Sequence, residues 1–120
     1  MSSGKLTTHV LNTAHGCPGA GIDVALYRLK DGQRILLAEM RTNSDGRTNG
    51  PILEGEQFET GQYELLFQAG AYFADRGAAS ADDVRFLDDI PIRFGITDAS
   101  QHYHVPLLVS PYSYSTYRGS

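Results

Sequence analysis

A chain of 120 residues with a single cysteine, Cys17, cannot close an internal disulfide. Packing alone must hold it, as suits a reducing compartment. Tryptophan is absent too, which excludes nothing. No apolar run approaches the ~20 residues that a membrane span requires. Met1-Ser-Ser-Gly-Lys5 leads into a polar strand pattern, not the apolar segment of a signal peptide. The expectation is a soluble, cytoplasmic protein without a membrane partner. Basic charge is also scarce: 10 Lys and Arg against 14 Asp and Glu give a formal net charge of -4. Nucleic-acid binding normally shows as a clustered basic face, so no nucleic-acid partner is expected. A Gly-rich phosphate loop, an internal repeat, a low-complexity tract and a domain linker are all missing. What remains reads as one domain, 1–120, able to bury a single core but too small to enclose a large cavity by itself. A deep pocket would have to come from assembly.

Short alternating runs separated by turn signals dominate the chain, which favours an all-β antiparallel sandwich of about eight strands over a βαβ fold. Leu6 to Thr13 reads as the first strand and Ile22 to Lys30 as the second. Asp31-Gly32 gives a tight hairpin turn, and Gln33 to Arg41 returns. Residues 43–50 form a turn-rich loop, followed by a strand from Gln62 to Ala69. Gly70 to Arg76, closed by Gly77, predicts one short helix with glycine at its C-terminal stop. Arg76 to Asp83 is small and polar enough to be mobile. In the run from Ile90 to Ile96, Ile90, Ile92, Phe94 and Ile96 share a face, and Pro91 at its start points to an edge position or a strand entry. Gln101 to Ser110 is the last clear strand. Its alternation sets Tyr103, Val105, Leu107 and Val109 on one face, and His102, His104, Pro106 and Leu108 on the other.

The chemistry-bearing candidates come from those patterns. His9 shares a face with Thr7 and Leu11, opposite Leu6, Thr8 and Val10. His104 lies on the polar face of its strand. Two imidazoles exchanging protons near neutral pH are what a hydrolase needs to activate water without a metal. Arg47, in the turn Ser44-Asp-Gly-Arg47, carries a permanent planar charge suited to an anion. His15-Gly-Cys17-Pro supplies two metal ligands but not the third and fourth that zinc requires, and reads as a loop. Asp82, Asp83, Asp88 and Asp89 are dispersed as in a solvated loop. The stretch Pro111-Tyr-Ser-Tyr-Ser-Thr-Tyr-Arg-Gly-Ser120 is denser in apolar bulk and hydrogen-bonding groups than a merely solvated tail.

Taken together, Leu6-Thr-Thr-His9-Val-Leu-Asn-Thr, Ser44-Asp-Gly-Arg47, Tyr103-His-Val-Pro-Leu107 and Tyr117-Arg-Gly-Ser120 make the chain resemble the transthyretin-related 5-hydroxyisourate hydrolases, from about Lys5 to Ser120. The resemblance implies a transthyretin-like sandwich that assembles as a homotetramer, a dimer of dimers with a central channel. It implies hydrolysis of the six-membered ring of 5-hydroxyisourate in urate degradation, with no cofactor. It also carries catalytic roles onto His9, Arg47 and His104, and substrate binding onto His9, Arg47, Tyr117, Arg118, Gly119 and Ser120. Either histidine can be the base, and His102 is left as an exposed neighbour. A carrier of transthyretin type, binding a small aromatic ligand without turnover, is the alternative, though the hormone carriers lack the histidine, arginine and Tyr-Arg-Gly-Ser set. One departure is Asn12, where that family more often has Asp.

Overall fold

The computed structural model describes residues 3–77 and 84–119. Among them the strands are β1 (Lys5–Thr7), β2 (Val10–Asn12), β3 (Cys17–Pro18), β4 (Asp23–Lys30), β5 (Gln33–Arg41) and β6 (Leu53–Glu54), then β7 (Gly61–Gln68), β8 (Asp89–Ile96), β9 (Tyr103–His104), β10 (Leu107–Val109) and β11 (Tyr114–Thr116). One helix, α1 (Ala69–Asp75), follows β7. It begins one residue before the predicted Gly70, and Gly77 stands just past its end, donating its N–H to the Ala74 carbonyl.

The four long strands make one antiparallel layer in the order β5-β4-β7-β8. Its first hairpin forms as the sequence predicts. Asp31 and Gly32 take φ of 53° and 76°, the left-handed pair that closes Lys30 onto Gln33. Pro91 lies on β8, an edge strand of this layer. There a missing N–H breaks no central ladder.

The other layer departs from the sequence reading. The expected strand Leu6 to Thr13 divides into β1 and β2, and the strand 101–110 divides into β9 and β10. β1 runs parallel to β9, and β2 runs parallel to β10. This layer is therefore mixed, with β6, β3 and β11 antiparallel to their neighbours. The ladder continues across the breaks, because Val105 N–H donates to the Thr7 carbonyl and Leu107 N–H to that of His9, each at 2.9 Å. Local chemistry explains the interruption. Pro106 has no N–H to give, and the buried Thr8 hydroxyl takes up the Val105 carbonyl at 2.7 Å. Cys17-Pro18, expected in a loop, instead pairs with Leu11 and Asn12 as β3.

Alternation then decides what fills the space between the layers. Leu6, Val10, Tyr103, Leu107 and Val109 meet Val24, Leu26, Leu65, Phe67, Ile90 and Ile92 in one buried cluster. Tyr72 and Phe73 of α1 join it. Asn12 is buried beneath the helix, donating to the Tyr72 hydroxyl at 3.0 Å and to His15 Nδ1 at 2.9 Å. Its amide thus ties α1 and the following loop to the sheet. His9 and His104 occupy the opposite parity, on the outer face of the mixed layer.

Candidate active site

His104 is held on two sides. β1 lies beside it, with Thr7 as its register partner. Thr7 Oγ1 stands 2.8 Å from His104 Nδ1. On the other flank Gly119 bridges to His104, its N–H donating to the His104 carbonyl at 2.7 Å. A side chain there would not fit, since a Cβ on Gly119 would lie 2.6 Å from His104 Cδ2. The ring is half-buried. Burial, the Arg47 guanidinium and the His9 imidazole all disfavour its cation and hold its pKa below the ordinary 6.5. A neutral imidazole near neutral pH is the form that can take a proton.

His9 and Arg47 are brought together by a turn. They pair across an isolated antiparallel bridge. Asn43 Oδ1 accepts the N–H groups of Asp45 at 2.9 Å and Arg47 at 3.2 Å, folding the loop onto itself. Gly46 makes the docking fit: its φ is 76°, and a Cβ there would collide with the Val10 carbonyl at 2.4 Å. His9 Nε2 lies 3.0 Å from the Asp45 carbonyl. A carbonyl only accepts, so Nε2 carries the proton and donates it. The Arg47 side chain is exposed and in no ion pair among the described residues. It is therefore available to an anionic group from outside.

The described part of the tail is tied to the sheet. β11 pairs with β10, and the Thr116 hydroxyl donates to the Pro106 carbonyl at 2.7 Å. Of its expected site residues, Gly119 stands against His104, whereas Tyr117 and Arg118 turn to a recess of about 210 Å³ beside β8. Arg118 lies 3.9 Å over the Tyr103 ring and donates to Gln101 Oε1 and the His102 carbonyl. Ser120 lies outside the described residues, as do Asp82, Asp83 and all of the expected mobile stretch Arg76 to Asp83 except Arg76 and Gly77. His102 is exposed.

The competing constellations do not assemble. His15 is engaged by Asn12, and among the described residues no group of three or more His, Cys, Asp or Glu converges. Asp88 pairs with Arg85 at 2.8 Å instead of with a second acid. The residue that sequence reasoning missed is Thr7. Alternation had put it on the His9 face, but its pairing with His104, 97 positions away, carried no local signal. His9, Arg47, His104 and Thr7 form an open patch. The larger recess, about 430 Å³, is on the β4 and β5 side, lined by Tyr27, Glu39 and Arg41 among others.

The chain as a whole is similar to known proteins. The model of the HIUase/Transthyretin family matches residues 6–119. The chain is 58% identical over 118 residues to 5-hydroxyisourate hydrolase 2 of Rhizobium meliloti, covering 98% of each chain. It is 56% identical over 117 residues to 5-hydroxyisourate hydrolase of Pseudomonas aeruginosa, covering 98% of this chain and 92% of the relative. Among solved structures, (S)-allantoin synthase superposes with a TM-score of 0.90 at 49% identity, over 100% of this chain and 46% of that one.

Proposed function

The chain belongs to the HIUase/Transthyretin family, and from that premise we propose that it hydrolyses 5-hydroxyisourate, opening the six-membered ring to 2-oxo-4-hydroxy-4-carboxy-5-ureidoimidazoline. The observation that carries this reading is the convergence of His104, His9 and Arg47 from three separate segments onto one outer face, with His104 kept neutral. Water attack on an electron-poor ring carbonyl needs a base and a stabiliser for the developing oxyanion. A histidine takes the proton from water as its oxygen bonds the carbonyl carbon. Arg47 receives the charge that collects on the carbonyl oxygen. The C–N bond then breaks and the departing nitrogen recovers the proton. No electrons are exchanged, so the reaction needs no redox cofactor, and in this proposal the histidines and Arg47 supply the base and the charge stabiliser without a metal. The naming of close relatives as 5-hydroxyisourate hydrolases supports turnover over mere carriage of a ligand.

The working unit we propose is a homotetramer, a dimer of dimers, in the cytoplasm. The patch is open on a single chain, and a purine-like ring needs walls to bury most of its surface. Two-fold packing of mixed layers would supply them and would bring Tyr117, Arg118 and Ser120 of neighbouring chains toward the substrate. The test is direct. Chelator-treated protein should accelerate the absorbance loss of freshly generated 5-hydroxyisourate. Folded protein that left the spontaneous decay rate unchanged would sink the hydrolase reading and favour the carrier.

A further inference from the structure

His104 has two ring nitrogens, and only one can serve as base. The ring's Nδ1 edge faces Thr7, and its Cδ2 edge is closed by Gly119. Nε2, at the far end of the ring, is therefore the nitrogen open to water. Two arrangements satisfy the 2.8 Å contact between Thr7 Oγ1 and Nδ1. If the hydroxyl donates, the neutral ring carries its proton on Nε2 and cannot accept another there. If the hydroxyl oxygen accepts, the proton sits on Nδ1 and Nε2 is bare.

Building on the hydrolase reading above, we propose that Thr7 is a positioning residue whose hydroxyl oxygen accepts Nδ1–H of His104, fixing the tautomer in which Nε2 is the general base. Nε2 takes a proton from water as the water oxygen bonds the ring carbonyl carbon. When the C–N bond breaks, Nε2–H returns that proton to the departing nitrogen. The ring is a cation in between, with both nitrogens donors, so an oxygen acceptor on Nδ1 serves throughout the cycle without rearranging. Among the described residues the partner of Nδ1 is the Thr7 hydroxyl and not a carboxylate, so no hydrogen-bonded carboxylate there offsets the positive charge of Arg47 that acts on this ring. A hydroxyl partner orients the imidazole while leaving it neutral at rest, which an aspartate in that place would oppose.

The register of β1 and β9 makes Thr7 a neighbour of His104 by strand pairing, so removing the hydroxyl need not disturb the fold. Thr7→Val keeps the shape and the β-branch, and Thr7→Ser keeps the hydroxyl. Two-bond proton–nitrogen NMR on histidine-labelled protein reads the tautomer of His104 directly, and turnover is measured on the same samples. In the wild type and in Thr7→Ser, the Nδ1–H form should dominate. In Thr7→Val the Nε2–H form should grow, and kcat should fall about tenfold with KM nearly constant, a part of the usual worth of general-base catalysis. A wild-type ring protonated on Nε2 would overturn the proposal. So would Thr7→Val with unchanged tautomer and kcat. A wild type showing the Nδ1–H form but no turnover would refute the hydrolase reading while leaving the Thr7 contact established.

Discussion

Gly119→Ala tests the geometry of the site with one methyl group. The added Cβ would lie 2.6 Å from Cδ2 of His104, 3.3 Å from its Cγ and 3.4 Å from its Cβ. Carbon atoms in contact ordinarily sit about 3.5–4.0 Å apart, so ring or tail must retreat by roughly 1 Å. The tail is the less free of the two. Its N–H holds the His104 carbonyl at 2.7 Å, and β11 is laddered to β10 just upstream. The backbone of Gly119 lies outside the left-handed region, so alanine brings no conformational strain to confuse the result. The displacement should fall on the imidazole. A misplacement of about 1 Å can cost on the order of 100-fold in rate, and we expect kcat to drop by about that factor. Stability should fall by no more than the roughly 1–3 kcal/mol of overpacking, because the substitution adds no cavity, strands no buried polar group and crowds a ring that is only half-buried. Initial rates on freshly generated 5-hydroxyisourate, paired with circular dichroism melts, separate the two effects. A variant with kcat within about twofold of wild type would refute the claim that His104 is wedged by the tail into its working position.

His104→Asn, His9→Asn and Arg47→Ala should each cost about 100-fold or more in kcat/KM with unchanged sheet spectra, whereas His102→Asn should be nearly silent; activity that depended on His102 and not His104 would reverse the assignment. Because the working form of His104 is neutral and burial, Arg47 and His9 hold its pKa below 6.5, kcat/KM should persist below that pH and fall only through the depressed value. Arg47→Ala removes one repulsion and should move this acid limb to higher pH, and an unmoved limb would deny the coupling. Glu64 is buried, which alone would raise its pKa, but Arg34 at 2.7 Å and Arg93 at 3.0 Å outweigh that and lower it below 4.5. A depressed carboxylate adds stability above its unfolded pKa and loses it as pH falls through the folded one, so the Tm gap between wild type and Glu64→Gln should close in acid. Removing residues 117–120 should abolish turnover and leave the sheet spectrum intact, while light scattering should report a tetramer; a fully active monomer would overturn the shared-channel picture.

Several features were legible from residues within one turn of each other. The Asp31-Gly32 hairpin, the helix stopped by Gly77 and the inward parity of Tyr103, Val105, Leu107 and Val109 all follow from local sterics and period-two alternation, whereas Pro91 pointed to an edge or a strand entry and the sheet order decided for the edge. The same alternation put His104 on an outward face and set His9 opposite Leu6, Thr8 and Val10. Motif likeness carried the chemical roles, since Ser44-Asp-Gly-Arg47 alone reads as an ordinary turn.

What the sequence by itself determined was therefore the kind of the long elements, β4, β5, β7, β8 and α1, and the face that the apolar side chains of the strands would take. The tertiary structure alone decided which elements became neighbours. The parallel pairing of β1 with β9 sets Thr7 on one flank of His104, and the return of the tail sets Gly119 on the other. The split of the first strand at Thr8 and His9 depends on a carbonyl contributed by Val105, 97 positions away from Thr8. Periodicity is a property of a few consecutive residues and says nothing about distant partners. Strand order is chosen by burying whole apolar faces together, a free energy that belongs to the assembled layers.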